Sequence, residues 1–293
     1  MPLDQLHEVE RQAQEKGEMS FFEHISELRK HILRAALAIM TVFVVAFINI
    51  KYIFEVWILG PKNAWFPTYH ILCDLSEKLH LGKSMCFEPT AFELDTREMG
   101  EILMQYIYVS FWLGIICAFP YILWEIWRFV SPGLHESERK AAKGVIVICT
   151  LLFFLGVLFG YFIIAPFSIS FLTSIQVNGV KVSPSLDSYV TYMTMFTLPT
   201  GLIFEMPVAA YFLAKIGVLG PAVMRTYRRH AVVVLLIIAA IITPPDVVSQ
   251  TLVAIPLYLL YELSIMVTAR VARERAKAIA ANNDSLPALL DDE

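Results

Sequence analysis

The longest uncharged stretch of the sequence is GVIVICTLLFFLGVLFGYFIIAPFSISFLTSIQVNGV at positions 144–180, between Lys143 and Lys181. An α-helix rises about 1.5 Å per residue, so about 20 apolar residues cross a bilayer core of about 30 Å. Val, Ile, Leu and Phe occupy every face of this stretch and do not alternate with polar residues, which is typical of a membrane helix and not of a barrel strand. The stretch predicts an integral membrane protein.

The composition of the whole chain agrees with this prediction. Of its 293 residues, 57% are hydrophobic and 17% are charged, whereas soluble domains carry about 25% charged residues. The formal net charge is −4 and no block of basic residues occurs. The composition therefore argues against disorder, coiled coils and nucleic-acid binding.

Uncharged stretches divide the chain into six predicted transmembrane helices. They cover about residues 31–50, 101–126, 143–173, 188–215, 230–244 and 248–268. The last two are short, and the Thr243-Pro244-Pro245-Asp246 sequence must reverse the chain between them, because proline has no amide hydrogen and disfavours a continuing helix. The predicted fold class is an all-α integral membrane protein with six transmembrane helices.

Lys and Arg are distributed unevenly between the two sides of the predicted bundle. Seventeen of the 23 lie in the N-terminal segment, the second and fourth connections and the C-terminal tail, and six lie on the other side. Because cytoplasmic loops are rich in Lys and Arg, both termini are predicted to be cytoplasmic. The predicted parts are a flexible N-terminus (1–19), a membrane domain (20–268) and a disordered cytoplasmic tail (269–293).

Two segments leave alternatives open. The sequence from Ser20 to Lys30 is amphipathic, which fits either a separate interfacial helix or a helical lead-in to the first span. The loop over residues 51–99 is too long for a bare turn, so we expect a short helix in it. Cys73 and Cys86 both lie in this loop. A disulfide between them and two free thiols both stay open, since the sequence alone does not place their Cα atoms.

Glu205 is the most unusual single residue, because it lies deep in the fourth predicted span between Pro199 and Pro207. An ionisable group at that depth costs several kcal/mol, so it must face a partner or water. One alternative is a protonated glutamate bonded to a neighbouring helix, and the other is a functional polar site. Glu262 is a second intramembrane acid, and Glu125 is interpreted as an interfacial residue beside Arg128.

Motifs for catalysis or metal binding are missing from the sequence, which has no H-E-x-x-H, G-x-S-x-G, Walker or C-x-x-C pattern. The histidines are scattered, and His24 and His31 are interpreted as structural. The sequence therefore predicts a protein that is not an enzyme and that holds no cofactor or metal.

Four short blocks follow one another along the chain. They are FEHISELRK (22–30), WRFVSPGL (127–134) with Glu138-Arg139-Lys140 after it, FEMPV (204–208), and TPPDV (243–247) with Ser249-Gln250-Thr251 after it. Together they resemble the TatC family, the polytopic subunit of the twin-arginine protein translocase. The resemblance extends from about residue 20 to residue 268.

The resemblance implies a receptor and scaffold that binds the twin-arginine signal peptides of folded proteins, in the plasma (inner) membrane. By this match, Glu27 and Glu138 accept the two guanidinium groups and Arg29 orients the patch. The loop that presents Glu138 is shaped by Phe129, Pro132 and Leu134. Guanidinium groups pair bidentately with carboxylates in a geometry that lysine cannot reproduce.

The resemblance also implies an intramembrane site for a partner helix. Its expected residues are Glu205, Thr243, Asp246 and Gln250. The implied partners are single-span TatA/TatB-type subunits, other copies of the chain and the lipid bilayer, with transport driven by the protonmotive force. The competing hypothesis is a proton-coupled small-solute transporter that uses Glu205 as its carrier.

Overall fold

The computed structural model describes residues 21–78, 92–130, 136–174, 183–243 and 247–285. These ranges are almost entirely helical, which confirms the all-α part of the predicted fold class. The α-helices longer than three residues are α1 (Phe21–Ile48), α2 (Pro67–Lys78), α3 (Glu101–Val130), α4 (Glu136–Phe159), α5 (Ala165–Ser174), α6 (Leu186–Ile203), α7 (Met206–Lys215), α8 (Pro221–Thr226), α9 (Arg228–Ile242) and α10 (Val247–Ser285).

Helix α1 packs antiparallel along α3. His31 near the start of α1 contacts Glu125 near the end of α3, and Ile39 further along α1 contacts Gly114. Gly114 favours this close approach, because a Cβ there would make a tight contact of 3.0 Å with the Ile39 carbonyl oxygen. Since α1 runs from Phe21 to Ile48 without a break, the amphipathic segment is a lead-in to the first span and not a separate helix.

Helices α4 and α6 cross at glycines. A Cβ at Gly156 would lie 2.8 Å from the Cα of Gly201, and a Cβ at Gly160 would overlap the carbonyl oxygen of Phe196. Small residues spaced four apart allow membrane helices to bring their backbones together. A π-helical segment that begins at Gly160 joins α4 to α5. This crossing forms the centre of the bundle.

The start of α6 is tied to the segment before α3. The backbone N–H of Leu186 donates to the carbonyl oxygen of Asp95 at 2.9 Å. Gln105 donates from Nε2 to Asp187 Oδ1 at 2.8 Å, and the N–H of Asp187 donates to Glu101 Oε1 at 3.0 Å. Carboxylates in the first turns of α3 and α6 also interact favourably with the helix dipoles. These contacts fix one end of the bundle, called here the loop end.

The long loop contains the short helix that the sequence predicts, α2. Thr68 donates its hydroxyl to the carbonyl oxygen of Phe162 at 2.5 Å, and the Tyr69 hydroxyl donates to Pro61 at 2.6 Å. Burial raises the pKa of Tyr69 to about 12. Helix α2 therefore packs against the π-helical segment and covers the loop end of the bundle.

The cysteines of the described ranges fall into two groups. Cys73, in α2, is disulfide-bonded, whereas Cys117 and Cys149 are free. Cys86, the predicted partner of Cys73, lies outside the described residues. The disulfide alternative at Cys73 is therefore the one that the structure supports.

The last two helices differ in length. The prediction that both are short holds for α9 and is wrong for α10. Helix α9 has 15 residues, whereas α10 has 39 and continues to Ser285. The predicted boundary between residues 268 and 269 does not coincide with the end of a helix, because a run of helix-forming Ala, Arg, Glu and Lys continues α10. Pro244, Pro245 and Asp246 lie outside the described residues.

Five helical stretches of the described residues are long and apolar enough to cross a membrane. They are Ile25–Ile48, Glu101–Val130, Gly144–Ser174, Leu186–Lys215 and Ser249–Lys277. Helix α9 is not among them, because 15 residues rise only about 22 Å. The count of six spans, and the side on which the termini lie, stay predictions.

Candidate functional site

The structure places Glu27 at the end of the bundle where α1 begins and α3 ends. His31, one turn after Glu27, contacts the ring of Phe129 at a centroid distance of 5.9 Å. Residues four apart share one face of a helix, so Glu27 lies on the α1 face that meets α3. Glu27 is partly buried there. We call Glu27, His31 and Phe129 the α1–α3 patch.

The other residues of the predicted signal-peptide site have different positions. Arg29 is exposed and lies about 200° around α1 from Glu27, since each residue turns the helix by about 100°. It therefore does not share the face of Glu27, and its orienting role stays a prediction. Pro132 and Leu134 lie outside the described residues. Glu138 is in the first turn of α4, and its side chain also lies outside the described part.

A polar cluster beneath the patch was missed by the sequence analysis. Glu125 is 2% exposed, and its Oε2 accepts a hydrogen bond from His31 Nδ1 at 2.5 Å. Its Oε1 accepts from the Tyr121 hydroxyl at 2.8 Å, and the guanidinium of Arg34 lies 4.0 Å away. An ionised carboxylate only accepts, so with Glu125 ionised this bond requires the hydrogen of His31 to be on Nδ1.

The interpretation of Glu125 as an interfacial residue beside Arg128 is wrong. Arg128 lies over the ring of Trp124, 5.6 Å from its centroid, and Glu125 points towards α1. The spacing of Tyr121 and Glu125, four residues apart, was the available signal. The partner on α1 could not be identified because the sequence does not give the rotation of one helix against another.

Glu205 lies at the break between α6 and α7. Helix α6 ends at Ile203, and α7 begins at Met206 with Pro207 in its first turn. The Cys149 thiol of α4 is a hydrogen-bond neighbour of the carboxyl group. The Glu205 Oε1 atom is buried and has no hydrogen-bond partner among the described residues. The break between the two helices therefore carries a buried polar atom inside an otherwise apolar bundle.

Thr243 and Gln250 make their described hydrogen bonds within the α9–α10 hairpin and not with Glu205. The Thr243 hydroxyl donates to the carbonyl oxygen of Ala239 at 2.9 Å. Gln250 donates from Nε2 to the carbonyl oxygen of Leu236 at 3.2 Å. Asp246 lies outside the described residues. The structure therefore does not join these expected residues into one hydrogen-bonded group.

Glu262 has a structural role. Its Oε2 accepts from Arg228 at 2.8 Å and its Oε1 from the Tyr258 hydroxyl at 3.0 Å. The ion pair connects the first residue of α9 to α10, across the hairpin. Its arrangement resembles that of Glu125, since in both cases a tyrosine one turn earlier and a basic residue of another helix hold the carboxylate.

The chain was compared with known families and structures. The family model of the Sec-independent protein translocase protein TatC matches residues 23–256. The TatC protein of Blattabacterium sp. subsp. Periplaneta americana is 36% identical over 263 residues, which cover 89% of this chain and 99% of that protein. The TatCy protein of Bacillus subtilis is 34% identical over 92% of this chain and 96% of its own length.

Solved structures show the same relationship. A crystal structure of the twin arginine translocase receptor TatC in DDM superposes with a TM-score of 0.67 at 33% identity and covers 84% of this chain and 99% of that chain. The resemblance predicted from the four sequence blocks is therefore confirmed, as is the prediction of a protein that is not an enzyme. This chain belongs to the TatC family of Sec-independent protein translocase subunits, which are membrane proteins of twin-arginine transport.

Proposed function

We propose that this chain is the subunit that binds twin-arginine signal peptides, and that the α1–α3 patch is part of its binding site. The observation that carries this proposal is the position of Glu27. Its partly buried carboxylate lies on the helix face that meets the end of α3, beside the segment that leads to α4 and Glu138. An acidic group where two helix ends meet fits a basic peptide.

The chemistry of the patch favours arginine over lysine. A guanidinium group forms two parallel hydrogen bonds with a carboxylate, whereas an ammonium group acts as a point charge. A hydrogen bond to a charged group contributes about 1.5–3 kcal/mol, which corresponds to roughly a 10- to 150-fold change in affinity. Two acids, Glu27 and Glu138, therefore account for a preference for paired arginines.

The bundle also has a candidate surface for partner helices. Glu205 carries a buried oxygen without a partner among the described residues, and a polar residue in an apolar partner helix would satisfy it. We propose single-span TatA/TatB-type subunits and other copies of this chain as partners, in the plasma (inner) membrane with both termini cytoplasmic. In this proposal Thr243, Asp246 and Gln250 border the contact.

Substituting Glu27→Gln tests the proposal. We expect about a tenfold loss in affinity for a twin-arginine signal peptide, because the neutral amide pairs poorly with a guanidinium. Binding of a labelled peptide and of its Lys-Lys version is measured with the purified protein in mild detergent. The native protein should prefer the Arg-Arg peptide, and Glu27→Gln should reduce that preference.

Glu98→Gln is the matched control, since Glu98 is an exposed acid at the loop end. This variant has the same change in charge and should bind both peptides as the native protein does. Equal affinity of the native protein for the two peptides, or an unchanged preference in Glu27→Gln, would contradict the proposed site.

A further inference from the structure

Helix α1 is held in the bundle almost only by α3. Among the described elements its extensive packing is with α3, and only 6% of its most apolar window is buried. Much of its surface is exposed and apolar, at positions such as Leu33, Leu37 and Met40. An apolar surface of this kind does not by itself fix the rotation of α1 about its axis. Contact with lipid and contact with another helix have similar hydrophobic energies, so many rotations are equally favourable.

The polar cluster supplies the directional contact that the apolar surface lacks. Glu125 is almost fully buried in α3, and one of its two carboxylate oxygens bonds across to His31 of α1. A buried carboxylate is costly unless it is paired and hydrogen-bonded. Only one rotation of α1 brings His31 to Glu125, so this bond fixes the rotation at this end of α1, as the close approach of Ile39 to Gly114 does further along the helix.

The rotation set by His31 also sets the position of Glu27. The two residues are four apart on α1, and Phe129 is four residues after Glu125 on α3, so the next antiparallel pair along the interface is Glu27 and Phe129. The 5.9 Å contact between the rings of His31 and Phe129 lies between these pairs. Turning α1 by one residue, about 100°, would move Glu27 away from α3.

We propose that Glu125, through His31, is a positioning residue for signal-peptide recognition. It touches no part of the peptide itself; it holds α1 at the rotation at which the Glu27 carboxylate faces the end of α3. The guanidinium of Arg34, 48% exposed, lies 4.0 Å from Glu125 Oε2, where its positive charge favours the ionised carboxylate. This inference rests on the proposed function of the α1–α3 patch.

The test combines Glu125→Leu, His31→Leu and Glu27→Gln in the purified full-length protein. Glu125→Leu and His31→Leu should each lower the affinity for an Arg-Arg signal peptide about tenfold and reduce its preference over the Lys-Lys peptide. Adding Glu27→Gln to Glu125→Leu should cause little further loss, because the misplaced carboxylate no longer contributes. Glu125→Gln can still bond to both neighbours, with its amide oxygen accepting from His31 Nδ1 and its NH2 group donating to the Tyr121 hydroxyl oxygen, and should restore affinity to within about twofold of the native value.

Glu262→Leu is the matched control, since it removes a similar Tyr- and Arg-bonded carboxylate from another helix pair. It should lower thermal stability, as Glu125→Leu does, without changing the Arg-Arg preference of the folded protein. Native affinity in folded Glu125→Leu and His31→Leu, or fully additive losses with Glu27→Gln, would overturn the positioning role alone. Native affinity in Glu27→Gln would overturn the proposed function together with it.

Discussion

We expect the Gly160→Val substitution to prevent the protein from accumulating in folded form, and Gly144→Val on the same apolar span to leave folding intact. At Gly160 even a Cβ atom would overlap the carbonyl oxygen of Phe196 in α6. The position of Cβ is set by the backbone of residue 160 and the oxygen belongs to the backbone of Phe196, so the clash is not relieved by a change of rotamer. We expect a loss of stability of at least about 3 kcal/mol, above the usual range for overpacked cores.

Gly144 is a suitable control because a Cβ there has nothing within 4 Å. Both variants are expressed in membranes, extracted in mild detergent, and compared by size-exclusion profile and thermal unfolding. Gly160→Val should give little monodisperse protein, and Gly144→Val should resemble the native chain. A folded Gly160→Val with native unfolding temperature would show that α4 and α6 do not cross at this glycine.

Reversing the charge at Glu27 is expected to abolish binding of a twin-arginine signal peptide. Glu27→Arg removes an acceptor worth about 1.5–3 kcal/mol and places a like charge beside the incoming guanidinium groups, which adds further cost. The affinity should fall at least about 100-fold. Glu98→Arg, at the loop end, should leave it unchanged.

A peptide with changed charge makes this prediction specific. A signal peptide in which one arginine is replaced by glutamate should bind Glu27→Arg better than it binds the native protein. Equilibrium binding of both peptides to both proteins measures this exchange. If Glu27→Arg binds the Arg-Arg peptide at native affinity, or if neither protein distinguishes the two peptides, Glu27 is not an acceptor for the peptide.

Much of the fold was predictable because hydrophobicity along the chain is a local property. The uncharged stretch at 144–180 and the other apolar runs predicted the long helices, and the Pro244-Pro245 pair predicted the break between the last two. The length of α10 was not predicted, since its continuation beyond residue 268 depends on helix propensity in a polar segment and not on apolar length. The short helix α2 was predicted only as a helix somewhere in the long loop.

The site was predictable only where sequence blocks carried it. Glu27 and Phe129 were named from their blocks, and the structure brings them to one end of the bundle. The bond between His31 and Glu125 joins residues 94 positions apart, and nothing in either local sequence indicates which helix face meets the other. Arg29 was named in the signal-peptide site from the same block as Glu27, but the sequence block does not show that the two residues point in different directions from α1.

Site-specific photo-crosslinking of a signal peptide tests most directly whether the α1–α3 patch is the receptor site. A photoreactive amino acid is placed at Lys30 or Val130, the exposed neighbours of Glu27 and Phe129, and as a control at Glu98. We predict cross-links to an Arg-Arg peptide from positions 30 and 130, none from position 98, and their loss with the Lys-Lys peptide. Cross-links that are equal for the two peptides, or that form only from position 98, would contradict a twin-arginine receptor site at this end of the bundle.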